Sequence, residues 1–374
     1  MGFLNDDDTF NTEGFQVAVE HFFTAQEILV GRADYPTEGI GDTSREFRQL
    51  GLGYANIGAL LMNLGLAYDS DEGRAYAASI TSLMTGHAYL TSTKTAARMG
   101  AHAGYEVNRE PMLRVLEQHR AAAAEIDEEL APVSILGAAQ EAWDATCDLA
   151  PQVGVRNAQA TVLAPTGTIG LLMDCDTTGI EPDLGLIKMK KLVGGGNMTI
   201  INQSVPRALR RLGYTADQVV EIEAYLDLNK SIVGAPHLKD EHVEVFACSM
   251  GDNTIHYLGH VKMMAAVQPF ISGAISKTVN MPEDASVEDV EQLHIDAWRM
   301  GVKAVAIYRD NCKVGQPLST AKKEDDTPAS DAAIAEKVVY KPVRERLPRN
   351  RTSRTFEFRV ADCKGFVTVG EYED

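Results

Sequence analysis

Apolar residues in the first part of the chain recur at helical spacing. Phe15, Val19, Phe22, Phe23 and Leu29 mark one face of an early helix, and Leu60, Leu61 and Leu64 form a stripe that reads as core. The stretch from Asp71 to Met99 is long and poor in turn residues. It begins after Ser70, a good N-cap, and predicts one extended helix. Asn108 reads as the N-cap of the next helix, with Pro111 early enough to sit in its first turn.

From about Asn157 short apolar runs followed by turns replace the helical stripes. Thr161-Val162-Leu163-Ala164 reads as a buried strand that runs straight into Pro165-Thr166-Gly167-Thr168-Ile169-Gly170. Thr215-Ala216-Asp217-Gln218 is a capping box opening a helix through Leu226. Ser286 precedes a helix through Trp298, which feeds a strand from Lys303 to Tyr308. Strands alternating with helices predict an α/β fold built on a parallel or mixed sheet, open or closed into a barrel. The pattern then decays. Residues 316–336 are rich in Lys, Asp, Thr, Pro and Ala without periodicity and read as a solvated linker. Beyond it Thr355 to Val360 and Phe366 to Val369 alternate as a hairpin around a turn containing Lys364-Gly365. The organisation expected is therefore 1–315, 316–336 and 337–374.

Composition narrows the class. Apolar residues make up 45% and charged residues 24% of the 374, which is ordinary for a globular chain. No apolar run approaches the ~20 residues of a membrane span. The start, Met1-Gly2-Phe3-Leu4 then Asn5-Asp6-Asp7-Asp8, lacks the basic region and small-residue cleavage site of a secretory signal, so the cytoplasm is the expected location. A net charge of −18 argues against broad affinity for nucleic acid or anionic lipid. The basic run Arg344, Arg346, Arg349, Arg351 and Arg354 reads as a solvated face that offsets the acidic body, with phosphate contact as the alternative.

Four features offer chemistry. A phosphate is held well by backbone N–H groups converging at a helix start, with hydroxyls beside them and glycine where the backbone must come close. Pro165, Thr166, Gly167, Thr168 and Ile169 supply that set, although a Pro-Thr-Gly turn also serves simply to start a helix. No Walker loop and no G-x-G-x-x-G accompanies it. Cys147, Cys175, Cys248, Cys312 and Cys363 show no C-x-x-C spacing and read as reduced thiols. His256 and His260 stand one helical turn apart but lack the Glu of H-E-x-x-H, so no metal is assigned to them. Gly194-Gly195-Gly196 reads as a flexible turn or a place where a large ligand comes close.

Arg156-Asn157-Ala158-Gln159-Ala160-Thr161-Val162-Leu163-Ala164 with the loop after it, then Asp176-Thr177-Thr178-Gly179-Ile180-Glu181-Pro182, closely resembles the large subunit of ribonucleotide reductases. Tyr35-Pro36-Thr37-Glu38, Leu52-Gly53-Tyr54-Ala55-Asn56-Ile57-Gly58, Tyr68-Asp69-Ser70-Asp71-Glu72-Gly73, Ile201-Asn202-Gln203-Ser204-Val205-Pro206 and Gln268 to Thr278 fit its adenosylcobalamin-dependent, class II branch. In class I members two adjacent tyrosines relay a radical at the positions held here by Ala306 and Ile307. Neither of these side chains can carry a radical, so the resemblance implies a radical made locally from adenosylcobalamin.

The resemblance also implies a ten-stranded α/β barrel, of which this chain would be the C-terminal part, with a small β extension. Residues 165–169 would bind the phosphates of a ribonucleoside di- or triphosphate, reduced to the deoxynucleotide for DNA synthesis. No catalytic residue of the family falls within this chain. The fingertip cysteine with its Asn and Glu, and the redox cysteine pair, match positions upstream of Met1. A partner carrying the N-terminal half is therefore expected, with an external thiol reductant such as thioredoxin. A non-catalytic nucleotide-binding fragment is the alternative. Family members also continue past Asp374, so the chain is expected to be a natural split subunit or a truncated or intein-interrupted frame.

Overall fold

The computed structural model describes residues 2–191, 197–310, 312, 318–320, 353–360 and 363–370. These hold eleven α-helices: α1 (Thr12–Arg32), α2 (Glu38–Phe47), α3 (Ile57–Asn63), α4 (Asp71–Met99), α5 (Tyr105–Ala124), α6 (Val133–Val153), α7 (Gly167–Leu172), α8 (Val205–Arg211), α9 (Ala216–Asn229), α10 (Tyr257–Val267) and α11 (Val287–Arg299). The named strands are β1 (Ile187–Lys191), β2 (Asn197–Ile201), β3 (Thr278–Met281), β4 (Ala306–Arg309), β5 (Leu318–Thr320), β6 (Ser353–Val360) and β7 (Cys363–Gly370). The chain divides into two compact units, Met1–Lys323 and Glu324–Asp374.

The first unit is organised on α4. Its N-cap Ser70 accepts from the Gly73 amide at 2.9 Å, and its bounds are those the sequence predicts. Most of its length is buried, which a helix tolerates only if its polar groups are satisfied internally. Ser79 and Thr81 do this by donating to the carbonyls of Ala75 and Ala77 at 2.8 and 2.6 Å. Helix α6 packs closely because Gly86 leaves room for the Trp143 ring, whose indole N–H donates to Ser82 at 3.1 Å. A second apolar cluster lies under α8 and α9, around Leu209, Ile222, Leu226 and Phe246.

The expected α/β alternation is only partly present. The described residues are mostly helical and form no closed barrel. Instead, parallel pairing steps through four segments. Leu52 bridges Thr161, Leu163 bridges Ile275, and β3, which follows Ile275, pairs with β4 in register Thr278 to Ala306. The Thr161–Ala164 segment is extended and bonded on both sides, Val162 N–H to the Leu52 carbonyl at 2.9 Å and Leu163 N–H to the Ala274 carbonyl at 3.0 Å. The first two junctions are isolated bridges, and only β3 with β4 pairs over four residues. Strands β2, β1 and β5 form a separate antiparallel sheet.

Several boundaries differ from the sequence reading. Helix α5 starts at Tyr105 with Gly104 as its cap, and Asn108 lies inside it, its side chain donating back to the Gly104 carbonyl at 2.8 Å. Pro111 is therefore within the helix, beyond its first turn. On α1, Phe15, Val19 and Phe23 are buried, but Phe22 and Leu29 are about two-thirds exposed, at 64% and 65%. Helix α9 runs on to Asn229, and the strand expected from Lys303 begins at Ala306. The expected capping box is formed at Thr215 with Gln218, and a second one is found at Ser286 with Asp289. Of the expected polar linker, Leu318–Thr320 pairs with β1, and residues 321–336 lie outside the described residues. So do residues 194–196 and Arg344, Arg346, Arg349 and Arg351 of the basic run.

In the second unit β6 and β7 form an antiparallel hairpin, Ser353 opposite Gly370 and Val360 opposite Cys363. Lys364 and Gly365 lie in the ladder, opposite Arg359 and Phe358, and not in the turn. A cross-strand pair of hydroxyls, Thr355 with Thr368 at 2.9 Å, falls on one face of it.

Candidate functional site

Residues 165–169 leave the C-terminal end of the central segment in the parallel set. That is where ligand sites of parallel α/β folds collect, because the loops there are free of the sheet and the following helix points N–H groups outward. Thr166 has φ 56 and Gly167 φ 49, so the chain reverses sharply into the short α7. The Gly167 N–H closes onto the Pro165 carbonyl at 2.7 Å, and the Ile169 N–H onto the Thr166 carbonyl at 3.1 Å. A methyl group at Gly167 would meet nothing within 4 Å, so the loop has open space in front of it. Gly167, Thr168 and Ile169 are exposed, and Thr166 is half-buried.

The two threonines have different surroundings. The Thr166 hydroxyl donates to the Pro165 carbonyl at 2.8 Å and accepts from the Gly179 N–H at 2.9 Å. It ties the loop down. Thr168 is the hydroxyl left at the exposed rim.

The 176–183 segment behind the loop is held from every side. Asn56, itself left-handed at φ 73, accepts from the Thr177 N–H at 2.9 Å, and the Thr177 hydroxyl accepts from the Ala59 amide at 3.1 Å. The Tyr68 hydroxyl donates to the Ile180 carbonyl at 2.7 Å. Gly179 has φ 49, and a Cβ there would lie 2.5 Å from the Ala164 carbonyl oxygen, so only glycine fits between the segment and the loop. Lys188 donates to the Asp176 carbonyl and the Asp183 carboxylate, both at 2.7 Å. Asp176 in turn accepts from the Gln203 amide at 2.9 Å and the Ser204 hydroxyl at 3.0 Å. Burial pushes the Asp183 carboxyl up against the pull of Lys188. On the other flank Lys277 donates to Glu181 at 2.8 Å.

A cleft of about 600 Å³ opens beside Thr166 and Ala164. Its walls are Leu52 to Ile57, the aromatic side chains of Phe3, Phe10, Phe15 and Phe22, and Met173 and Cys175. Burial raises the Cys175 thiol, which disfavours the reactive thiolate. Burial likewise pushes Cys147 up to about 12 and raises Cys248 well above its ordinary value. Cys312 is exposed.

The histidine pair separates. His256 caps its own helix, its ring nitrogen accepting from the Leu258 amide at 3.3 Å. His260 is fully buried with Nδ1 2.6 Å from the Lys277 ammonium. No group of three or more His, Cys, Asp or Glu able to hold a metal occurs among the described residues. No helix among them is long and apolar enough to cross a membrane.

The sequence reading singled out the loop but gave no role to Asn56, Gly179, Glu181, Lys188 or Lys277. Gly179 carried a signal, since glycine in a Thr-Thr-Gly turn often marks a positive φ. The lysines carried none, because Lys is read as exposed by default.

Comparison with known proteins covers these segments. The family described as "Ribonucleotide reductase, barrel domain" matches residues 1–308. A vitamin B12-dependent ribonucleotide reductase of Streptomyces avermitilis is 54% identical over 389 residues, covering 100% of this chain and 40% of that protein. Proteins of the same name from Streptantibioticus cattleyicolor and Rhodopirellula baltica are 53% and 50% identical, with this chain covering 61% and 37% of their lengths. The chain thus spans about two-fifths of the Streptomyces relative.

Proposed function

From the premise that this chain belongs to the ribonucleotide reductase barrel-domain family, we propose that residues 165–169 hold the phosphates of a ribonucleoside di- or triphosphate that is reduced to the deoxynucleotide. The observation that carries this reading is the position of the loop. It hangs from the C-terminal end of the central parallel segment, with Gly167 facing open space and Thr168 at the exposed rim. The amide and hydroxyl of Thr168 suit phosphate oxygens, while the inward-turned Gly167 and Ile169 amides and the fixed Thr166 keep the loop shaped before the ligand arrives. The reaction is a radical reduction within a ten-stranded α/β barrel. Residues 1–315 supply its later strands and packing helices, 316–336 a linker and 337–374 a small β unit. A partner or preceding segment supplies the thiyl and redox cysteines, and an external thiol such as thioredoxin restores them, in the cytoplasm.

The names of the relatives specify vitamin B12, and we take adenosylcobalamin as the radical source, since Ala306 and Ile307 offer no oxidisable side chain. The cleft beside the loop has no imidazole or carboxylate in its lining, and its one thiol is raised by burial. That donor set does not fit cobalt, so no described residue is assigned to the corrin. The chain's own part is to bind and orient substrate phosphate.

The test is to combine the chain with a matching N-terminal half and assay deoxynucleotide formation with and without cobalamin. Cobalamin-dependent turnover that neither half gives alone is expected. A stable, cobalamin-loaded complex that turns nothing over would overturn the reading.

A further inference from the structure

Lys277 lies immediately before β3, and its side chain is fully buried. Its ammonium has three hydrogens and meets three acceptors: Glu181 Oε2 at 2.8 Å, the Thr278 carbonyl at 2.8 Å and His260 Nδ1 at 2.6 Å. A buried ammonium is tolerated when every hydrogen is matched in this way. Because His260 Nδ1 accepts, the imidazole proton sits on Nε2 and the ring is neutral. Burial, reinforced by the adjacent ammonium, holds His260 well below its ordinary range. The other oxygen of Glu181 accepts from the Thr278 amide at 2.8 Å. Glu181 is thus gripped at both oxygens by the start of β3.

A lysine with no task but packing is poorly chosen here, since an apolar residue of similar volume would fill the space without desolvating a charge. Burial lowers the Lys277 pKa despite the pull of Glu181. The task the contacts define lies on the other side of Glu181. The Glu181 amide closes a turn onto the Thr178 carbonyl at 2.8 Å, and within that turn the Gly179 amide donates to the Thr166 hydroxyl at 2.9 Å. An unbroken path therefore runs from ammonium to carboxylate to turn to loop.

We propose that Lys277 is a positioning residue of the phosphate loop, acting through Glu181 and the 178–181 turn to present Gly179 to Thr166. The proposal rests on the reading of residues 165–169 as that loop. Asn56 and Tyr68 hold the same segment through neutral bonds to Thr177 and Ile180, so loss of the ammonium loosens the end of the turn without detaching the segment.

The test compares the wild-type chain with Lys277→Met and with Lys277→Met/Glu181→Gln, by amide exchange at Gly179, thermal melting and titration with a ribonucleoside diphosphate. In Lys277→Met the Gly179 amide is expected to exchange roughly tenfold faster or more, while amides of α4 keep their protection. The paired variant removes both charges, so its melting temperature returns toward wild type while Gly179 stays fast and nucleotide binding stays weak. If Lys277→Met does not fold, the paired variant alone carries the comparison. Unchanged Gly179 exchange, or exchange restored together with melting temperature in the pair, would overturn the proposal and leave Lys277 as charge balance only. Wild-type chain that binds no nucleotide while Gly179 responds as expected would count against the phosphate reading and not against the positioning role.

Discussion

The Gly179 amide reaches back thirteen residues to the Thr166 hydroxyl at 2.9 Å. That bond commits one of the two loop threonines to structure and leaves the other, Thr168, exposed at the rim. The two side chains are therefore separable by mutation.

Thr166→Val removes a hydroxyl that bonds at both ends and leaves the Gly179 amide without its acceptor. It is expected to lower stability by about 1–2 kcal/mol and to weaken nucleotide binding as well. Thr168→Ala, at the exposed rim, is expected to change stability by less than about 0.5 kcal/mol and to weaken nucleotide binding alone. Melting curves and nucleotide titrations of both variants check the contrast. Equal losses of stability in the two would contradict it.

Gly179→Ala places a methyl group 2.5 Å from the Ala164 carbonyl oxygen at a φ of 49. Left-handed strain contributes about 1–2 kcal/mol, and the backbone overlap adds to it. A fall in the denaturation midpoint is expected together with loss of protection at residues 165–170. A variant as stable as wild type would show that the segment relaxes freely.

Glu27 receives the Arg48 and Arg156 guanidinium groups on one oxygen, both at 2.7 Å, and the Asn157 side chain at 2.6 Å on the other. It joins α1 to the end of α2 and to the entry of the central segment. Glu27→Gln leaves two arginines converging on a neutral amide, and a loss of about 3 kcal/mol is expected in chemical denaturation.

His119 stacks on Trp143 with ring centroids 5.1 Å apart and donates from Nδ1 to the Pro269 carbonyl. Burial, with a further push from Lys303, lowers its pKa to about 4 from an ordinary 6.5. Above pH 6.5 both the folded and unfolded forms are neutral and its stabilising contacts count in full. As the pH falls toward 4 the unfolded chain takes up the proton first, so stability drops, by about 2 kcal/mol between pH 6.5 and 5 for this group alone. His87, His102 and His260 are lowered in the same direction. His119→Phe is expected to be less stable at pH 7.5 yet to lose less between pH 7.5 and 5, as read from unfolding midpoints at the two values.

Local signals in the sequence carried the local structure. Ser70 before a turn-poor stretch located α4, and the box at Thr215 and the Ser286 start located α9 and α11, because caps act over three residues. Asn108 misled for the same reason. Its side chain offers a cap, but inside α5 it bonds back to Gly104 instead. The Lys364-Gly365 pair suggested a turn that the hairpin register places two pairs into the ladder. The segments at 161–164 and before Tyr308 were legible, but which of them pair was not, since the bridges Leu52 to Thr161 and Leu163 to Ile275 join residues more than a hundred positions apart and are too short to impose a period of two. The loop was found as a motif, but its support was not. Lys277 and Glu181 are 96 positions apart, and nothing local to either shows that one buries itself to hold the other.

What touches residues 165–169 decides whether they form a phosphate loop. Deuterium exchange of the chain assembled with its N-terminal half, with and without a saturating ribonucleoside diphosphate, is the direct measurement. Protection confined to residues 165–170 and the adjoining 176–181 turn, and absent in Thr168→Ala at the same nucleotide concentration, is the predicted result. Saturable binding that leaves exchange across residues 165–170 unchanged would contradict it.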